Sequence, residues 1–130
     1  MCTMRSLVLM EIGKEFTFDS AHYLIDYRGP CEHIHGHTYR FEVTLSGAVG
    51  EGGMVMDFAE IKAVVEALVL SKLDHKLLND IIPQPTAEHI AIWIWNALKK
   101  SLPLSSIKLW ESPGSFVIYR GNEGVSEAHA

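Results

Sequence analysis

The seven residues 31–37, Cys-Glu-His-Ile-His-Gly-His, place a thiol, a carboxylate and three imidazoles within one short segment. An alternating strand pattern follows, so His35 and His37 should project from one face of that strand, roughly 6–7 Å apart. His22 closes an earlier strand-like run. If the two strands pair, these three imidazoles can hold one metal ion and leave a coordination position open, as in catalytic zinc sites. The spacing therefore predicts a zinc centre of His22, His35 and His37, with His33 outside it in a loop.

Three roles are open to the thiol of Cys31: a fourth metal ligand, a reactive base, or an inert buried side chain. Because Cys31 lies four residues before His35 in a polar loop, a neighbouring cation would favour its thiolate form. A thiolate beside a metal-bound oxygen can act as a base on an adjacent carbon acid. Glu32 could be a second acid or base, although the pattern alone favours a surface-loop charge.

Two further candidates for chemistry lie outside this segment. Asp74 precedes His75, and a carboxylate that orients an imidazole is a proton-transfer unit, but the same pair could be a turn that caps a helix. Glu111 ends a β-rich run just before a Ser-Pro-Gly turn. Its carboxylate could accept two hydrogen bonds from an amidine-like edge of a heterocycle. The pattern alone favours the alternative, a solvated acid at a hairpin.

Composition and charge limit the classes of function. The 130 residues are enough for one domain with one core, and 48% hydrophobic with 21% charged residues is typical of a soluble globular protein. The formal net charge of −5 argues against nucleic acid or an anionic membrane as a partner. The two cysteines, Cys2 and Cys31, indicate a reduced, cytoplasmic setting. The apolar run 7–10 is too short for a signal sequence or a membrane span.

The order of predicted elements is ββααββ. Apolar residues at helical spacing predict one helix that begins after Asp57 and another that begins after Thr86. The expected fold class is α+β, with two helices on one face of a four-stranded antiparallel sheet, whose open edges could be closed by joining sheets into a barrel through oligomerisation. The catalytic domain should span residues 9–120, between an extension (1–8) and a tail (121–130). The predicted strands are residues 9–25, 35–47, 105–111 and 115–120.

The chain resembles the 6-pyruvoyl-tetrahydropterin synthase family, which includes the 6-carboxy-tetrahydropterin synthases of queuosine-type pathways. The resemblance runs from about residue 9 to residue 120. Its motifs occur in the expected order along the chain. They are Phe18-Asp19-Ser20-Ala21-His22, Cys31 ahead of His35-Gly36-His37, Gly53-Met54-Val55-Met56-Asp57-Phe58, Leu73-Asp74-His75, Leu78-Asn79, Pro85-Thr86-Ala87-Glu88 and Glu111.

The resemblance implies a tunnelling fold whose subunits join their sheets into a barrel trimer, with two trimers stacked as a hexamer and active sites between subunits. It also implies a role for each candidate residue. By resemblance, zinc is held by His22, His35 and His37, Cys31 is the base, Asp74 and His75 are its proton-transfer partner, Glu111 anchors the pterin ring, and Thr86 and Glu88 lie near the pterin.

The reaction implied by the resemblance converts 7,8-dihydroneopterin triphosphate to 6-carboxy-5,6,7,8-tetrahydropterin with loss of triphosphate and acetaldehyde. The doublet Cys31-Glu32 resembles a dual-function subgroup that also cleaves the side chain to 6-hydroxymethyl-7,8-dihydropterin for folate synthesis. The third candidate product is 6-pyruvoyl-tetrahydropterin. Two alternatives from other classes are a non-catalytic zinc- or pterin-binding oligomer and a zinc hydrolase.

An anionic substrate on an acidic protein requires local positive charge. The sequence offers several cations for this task and does not choose among them. The candidates are Arg28, Arg40, Lys108 and Arg120.

Overall fold

The computed structural model describes residues 8–25 and 33–121 of the chain. Within these residues four strands form one antiparallel sheet, as the sequence predicted, and their order in the sheet is β1-β2-β3-β4. The first strand is shorter than its predicted range, because its ladder with β2 ends at the pair His22–His35. The strands are β1 (Leu9–His22), β2 (His35–Ala48), β3 (Leu104–Ser112) and β4 (Ser115–Tyr119).

The helices lie between β2 and β3 in sequence and pack on one face of the sheet. Both helical segments begin at the predicted caps. Asp57 Oδ1 accepts a hydrogen bond from the Ala59 N–H at 2.8 Å, and Thr86 Oγ1 accepts one from the His89 N–H at 3.1 Å. None of the helices in the described ranges is long and apolar enough to cross a bilayer. The helical elements are α1 (Phe58–Val65), a π-helical turn (Glu66–Leu70), α2 (Ser71–Leu73), a 3₁₀ turn (Leu78–Asp80) and α3 (Ala87–Leu98).

The first helical segment contains a π-helical turn that the sequence pattern did not predict. Its buried residues follow one another at intervals of four: Ile61, Val65, Val69 and Leu73. In a regular α-helix with 3.6 residues per turn, this stripe would drift around the axis, and the wider π turn keeps it facing the sheet. Phe58, the first residue of this segment, is half exposed and lines a small cavity near the start of β1.

The covered face of the sheet is apolar along most of its length and becomes polar at one end. Alternation along β1 and β2 points every second side chain toward the helices. His22 continues the buried row of β1, and His35 and His37 continue the buried row of β2. The apolar part of this face consists of Phe16, Phe18, Tyr39, Phe41, Val43, Leu45, Ile107 and Leu109.

Gly121 follows β4 and packs against α3. Its φ is +83°, and a Cβ added there would lie 2.8 Å from Cζ2 of Trp95. We expect Gly121→Ala to lower the free energy of unfolding by about 1–3 kcal/mol, because a left-handed backbone and a tight contact coincide. Urea denaturation followed by circular dichroism measures this change. Gly114→Ala is the control, since no atom lies within 4 Å of its added Cβ; equal losses in both variants would contradict the packing argument.

Candidate active site

The pairing of β1 with β2 brings three histidines together. The ladder places His22 opposite His35 and Ser20 opposite His37. Since all of these side chains point to the covered face, the three imidazoles converge, and one ring nitrogen from each lies within 4.8 Å of the others. His22 is fully buried, whereas His35 and His37 are partly buried. This group matches the predicted set of metal ligands.

Backbone carbonyl groups orient two of these imidazoles. Nδ1 of His22 donates to the carbonyl oxygen of Pro85, and Nδ1 of His35 donates to that of His33, each at 2.7 Å. Because a carbonyl oxygen only accepts, each Nδ1 carries a hydrogen, and in the neutral ring Nε2 is the nitrogen available to a metal. The two Nε2 atoms are 3.1 Å apart. They are therefore close enough to bind the same cation.

The third imidazole supplies an unsatisfied nitrogen. In the described part of the chain, Nε2 of His37 is a buried side-chain nitrogen without a hydrogen-bond partner. Burial lowers the pKa of His37; Glu111 opposes this shift, and His22 and His35 add to it. The ring is therefore held in the neutral form that binds metals. Three imidazole nitrogens aimed at one point, at least two of them with their tautomer set by the backbone, fit a zinc ion with an open coordination position.

Asp74 and His75 are held together against β1. The chain turns sharply at His75, whose φ is +57°. The Asp19 N–H donates to Asp74 Oδ1 at 3.0 Å, and the His75 N–H donates to the Asp19 carbonyl oxygen at 2.6 Å. With these bonds in place, Asp74 Oδ1 lies 3.1 Å from His75 Nδ1. The pair therefore has the geometry of a carboxylate that orients an imidazole.

His75 of this pair and His37 of the histidine cluster line the same open cavity. The cavity has a volume of ≈ 620 Å³, and its lining includes Asp19, His37 and His75. Asp19 and Ser20 both line this cavity, although the sequence pattern predicted no catalytic or binding role for either. Ser20 Oγ donates to the carbonyl oxygen of Leu73 and so anchors the end of α2 to β1. The position of Asp19 and Ser20 directly before His22 in an alternating strand is the sequence feature that could have indicated their nearness to the site.

Glu111 lies beside the histidines, contrary to the hairpin role that the pattern alone favoured. The ladder of β3 with β4 shifts register between Trp110 and Ser112, so Glu111 sits at a bulge, a feature that redirects side chains. Its carboxylate oxygens lie 3.9 Å from Nε2 of His22 and 4.0 Å from Nε2 of His37. The carboxylate is thus aimed at the cluster rather than at bulk solvent.

A second cavity connects Glu111 with the start of α3. It has a volume of ≈ 350 Å³ and includes Thr86, Glu88, Glu111 and Phe116 in its lining. The structure therefore groups the three residues that the resemblance placed near the pterin, and adds an aromatic ring. Phe116 is half exposed, and Nζ of Lys108 lies 4.3 Å from the centroid of its ring.

Two amide side chains that were not predicted to act at the site hold the segment after His22. Asn79 accepts from the Tyr23 N–H and donates to the Tyr23 carbonyl, at 3.0 and 2.9 Å. Gln84 makes the same pair of bonds with Ile25, at 2.7 and 2.9 Å. Each amide bonds to the backbone as a neighbouring strand would, which holds the segment that follows His22. Cys31 and Glu32 lie outside the described residues, and their catalytic roles stay predictions.

Comparison with known proteins agrees with the family resemblance. A family model described as 6-pyruvoyl tetrahydropterin synthase matches residues 11–122. The 6-carboxy-5,6,7,8-tetrahydropterin synthase of Haemophilus influenzae is 36% identical over 140 aligned positions, which cover 86% of this chain and 99% of the relative. A dihydroneopterin monophosphate aldolase of Pyrococcus furiosus is 41% identical over 99 positions, covering 73% of this chain and 83% of the relative.

The fold agrees with a solved structure as well. The 6-pyruvoyl tetrahydropterin synthase of Caenorhabditis elegans matches with a TM-score of 0.82 and 27% identity, covering 91% of this chain and 99% of that chain. The four-stranded antiparallel sheet with its two helical segments is thus the tunnelling fold that the resemblance implied. With a family model that matches residues 11–122 and a relative aligned over almost its whole length, this chain belongs to the 6-pyruvoyl tetrahydropterin synthase family.

Proposed function

We propose that the protein is a zinc-dependent lyase that converts 7,8-dihydroneopterin triphosphate to 6-carboxy-5,6,7,8-tetrahydropterin, with loss of triphosphate and acetaldehyde. The observation that carries this proposal is the convergence of three histidine nitrogens next to Glu111 and the Asp74–His75 pair. The name of the Haemophilus influenzae relative, which aligns over 99% of its length, supports the choice of product.

In this proposal zinc is held by His22, His35 and His37. Bound zinc acts as a Lewis acid that polarises the side-chain oxygens of the substrate and so acidifies the adjacent C–H bonds. The carbonyl groups of Pro85 and His33 keep two ligands in the tautomer that binds metal.

Glu111 would anchor the heterocycle. A carboxylate can accept two parallel N–H hydrogen bonds, which matches the amidine-like edge of a pterin. Because Glu111 lines the cavity shared with Thr86 and Glu88 and lies 4.0 Å from Nε2 of His37, it can bind the ring with the ring's side chain directed at the histidines. Phe116 offers a ring face on which the pterin can stack.

Proton transfer would be divided between Cys31 and His75. The Cys31 thiolate removes a proton from the substrate side chain, and His75 returns one at another carbon. Asp74 contacts Nδ1 of His75, which leaves Nε2 of that ring for the substrate. The Asp19 N–H that donates to Asp74 keeps the carboxylate in place during this exchange.

The proposed assembly is a hexamer made of two trimers, in a cytoplasmic setting. The edges of the described sheet are β1 and β4, and pairing of these edges between subunits would close it into a barrel. The side chain of His75 is 78% exposed, which suits an active site completed by a neighbouring subunit. Light scattering coupled to size-exclusion chromatography should give six times the 14.5 kDa chain mass; a monomer would contradict the assembly.

A second candidate function is cleavage to 6-hydroxymethyl-7,8-dihydropterin, alone or in addition, with 6-pyruvoyl-tetrahydropterin synthesis as the third. The Pyrococcus furiosus relative with aldolase in its name and the doublet Cys31-Glu32 favour the cleavage. In this reading Glu32 abstracts a proton from a different side-chain position than Cys31 does.

Product analysis separates these functions. Purified, zinc-loaded protein is incubated without oxygen with 7,8-dihydroneopterin triphosphate or with 7,8-dihydroneopterin, and the products are identified by mass spectrometry. We expect 6-carboxy-5,6,7,8-tetrahydropterin and acetaldehyde from the triphosphate. Hydroxymethyl-dihydropterin that disappears in Glu32→Ala would establish the cleavage activity. Failure to consume either substrate would overturn the proposed function.

A further inference from the structure

A cavity opens where β2 and β3 separate at the site end of the sheet. The first strand residue of β2 is His35, but its ladder with β3 begins only at the pair Arg40–Trp110. The resulting gap holds a cavity of ≈ 490 Å³ whose lining includes His37, Arg40, Trp110 and Glu111. Since His37 belongs to the covered face and Arg40 to the opposite, open face, this cavity links the histidine cluster to the open face of the sheet.

The open face carries a pair of cations arranged around aromatic rings. The guanidinium carbon of Arg40 lies 3.7 Å from the centroid of the Trp110 ring. Nζ of Lys108 lies 4.6 Å from the same centroid and 4.3 Å from that of Phe116. Stacking on Trp110 holds the planar guanidinium in a defined orientation. Glu15 contacts one edge of Arg40 at 3.5 Å, and a guanidinium has five N–H donors to offer.

The structure discriminates among the three described cations of the four that the sequence offered. Arg40 lines the cavity that His37 and Glu111 also line. Lys108 lies two residues before Trp110 on the same face. Arg120 follows the end of β4, where Tyr119 pairs with Ile107, roughly 13 Å along β3 from Glu111. Arg28 lies outside the described residues.

We propose that Arg40, assisted by Lys108, forms a polyphosphate-binding subsite of the active site, an inference that rests on the proposed function for the identity of its ligand. A planar guanidinium binds phosphate oxygens in pairs, and Lys108 adds a second positive charge at the same Trp110 ring. His37 and Arg40 are three residues apart on β2, about 10 Å along the strand. A ligand that reacts at the histidines can therefore extend its phosphate chain through the gap to Arg40.

Direct binding of inorganic tripolyphosphate tests this subsite without catalysis. Isothermal titration calorimetry on the full chain should show binding that is about 10- to 100-fold weaker in Arg40→Met, the usual cost of a charge-assisted hydrogen-bonding pair. Arg40→Lys keeps the charge but loses the paired donors. Its affinity for tripolyphosphate should therefore lie between those of the unsubstituted protein and Arg40→Met. Arg120→Met is the control with the same change in net charge, and it should bind like the unsubstituted protein.

Turnover provides the second measurement. The KM for 7,8-dihydroneopterin triphosphate should rise in Arg40→Met, while kcat at saturation should change much less, because the reacting atoms lie at the histidines. If loss of the Arg40–Trp110 stack lowers the melting temperature of Arg40→Met, Lys108→Met supplies a further test. It should also weaken the binding of tripolyphosphate.

Two outcomes would overturn the subsite: no tripolyphosphate binding by the unsubstituted protein, or equal weakening by Arg40→Met and Arg120→Met. Failure of the proposed reaction can be distinguished from failure of the subsite. If the triphosphate is not consumed but tripolyphosphate binding still depends on Arg40, the subsite is supported and the reaction is not.

Discussion

Replacing His35 by alanine should remove the metal ion and reduce turnover by more than about 100-fold. Loss of an outer partner of a metal ligand already costs 10- to 100-fold in metal affinity or activity, and loss of a ligand itself should exceed this. The structure gives the reason: His35 Nε2 lies 3.1 Å from His22 Nε2, and the remaining two imidazoles would be a weaker chelate. Zinc content measured by mass spectrometry and turnover of the pterin substrate should fall together.

His33→Ala is the matched control for this substitution. His33 contributes its backbone carbonyl to His35 at 2.7 Å, and alanine retains that group. Zinc content and activity should therefore stay close to those of the unsubstituted protein. If His33→Ala loses zinc and His35→Ala keeps it, the assignment of ligands is wrong.

Zinc should also stabilise the unsubstituted fold. An ion that binds only the native state at 100 times its Kd adds about 2.7 kcal/mol of stability. A chelator should therefore lower the melting temperature of the unsubstituted protein and leave that of His35→Ala nearly unchanged. Equal shifts in both proteins would contradict a site built on His35.

His75→Asn should reduce kcat by about 100- to 10,000-fold while zinc remains bound. This range is typical of a lost general acid or base. Asparagine is chosen because it tolerates the left-handed conformation that His75 adopts, with φ at +57°. The N–H that bonds to the Asp19 carbonyl is retained, so the loss should be chemical rather than structural.

The same variant separates proton transfer from metal binding. Metal content and melting temperature should match the unsubstituted protein, in contrast to His35→Ala. Asp74→Asn should give a partial loss of kcat, because the imidazole stays but its carboxylate partner is gone. An unchanged kcat in His75→Asn would show that this imidazole carries no proton in the rate-limiting step.

Several features could be predicted from the sequence because they depend on neighbours in the chain. Alternation placed His35 and His37 on one face, and capping residues marked the starts of both helical segments at Asp57 and Thr86. The succession of elements along the chain, ββααββ, followed from these local patterns. The roles given to Cys31 and Glu32 still depend on the sequence and the resemblance.

Other features were decided only by the tertiary structure, because they depend on contacts between distant residues. Pro85, 63 positions beyond His22, sets the tautomer of that ligand. The bulge at Glu111 turns toward the histidines a carboxylate that the pattern alone assigned to solvent. The gap between β2 and β3 places Arg40, and neither Lys108 nor Arg120, in the lining of a cavity with His37 and Glu111. Strand register, bulges and gaps result from how the whole sheet packs against its helices, and local spacing carries no record of them.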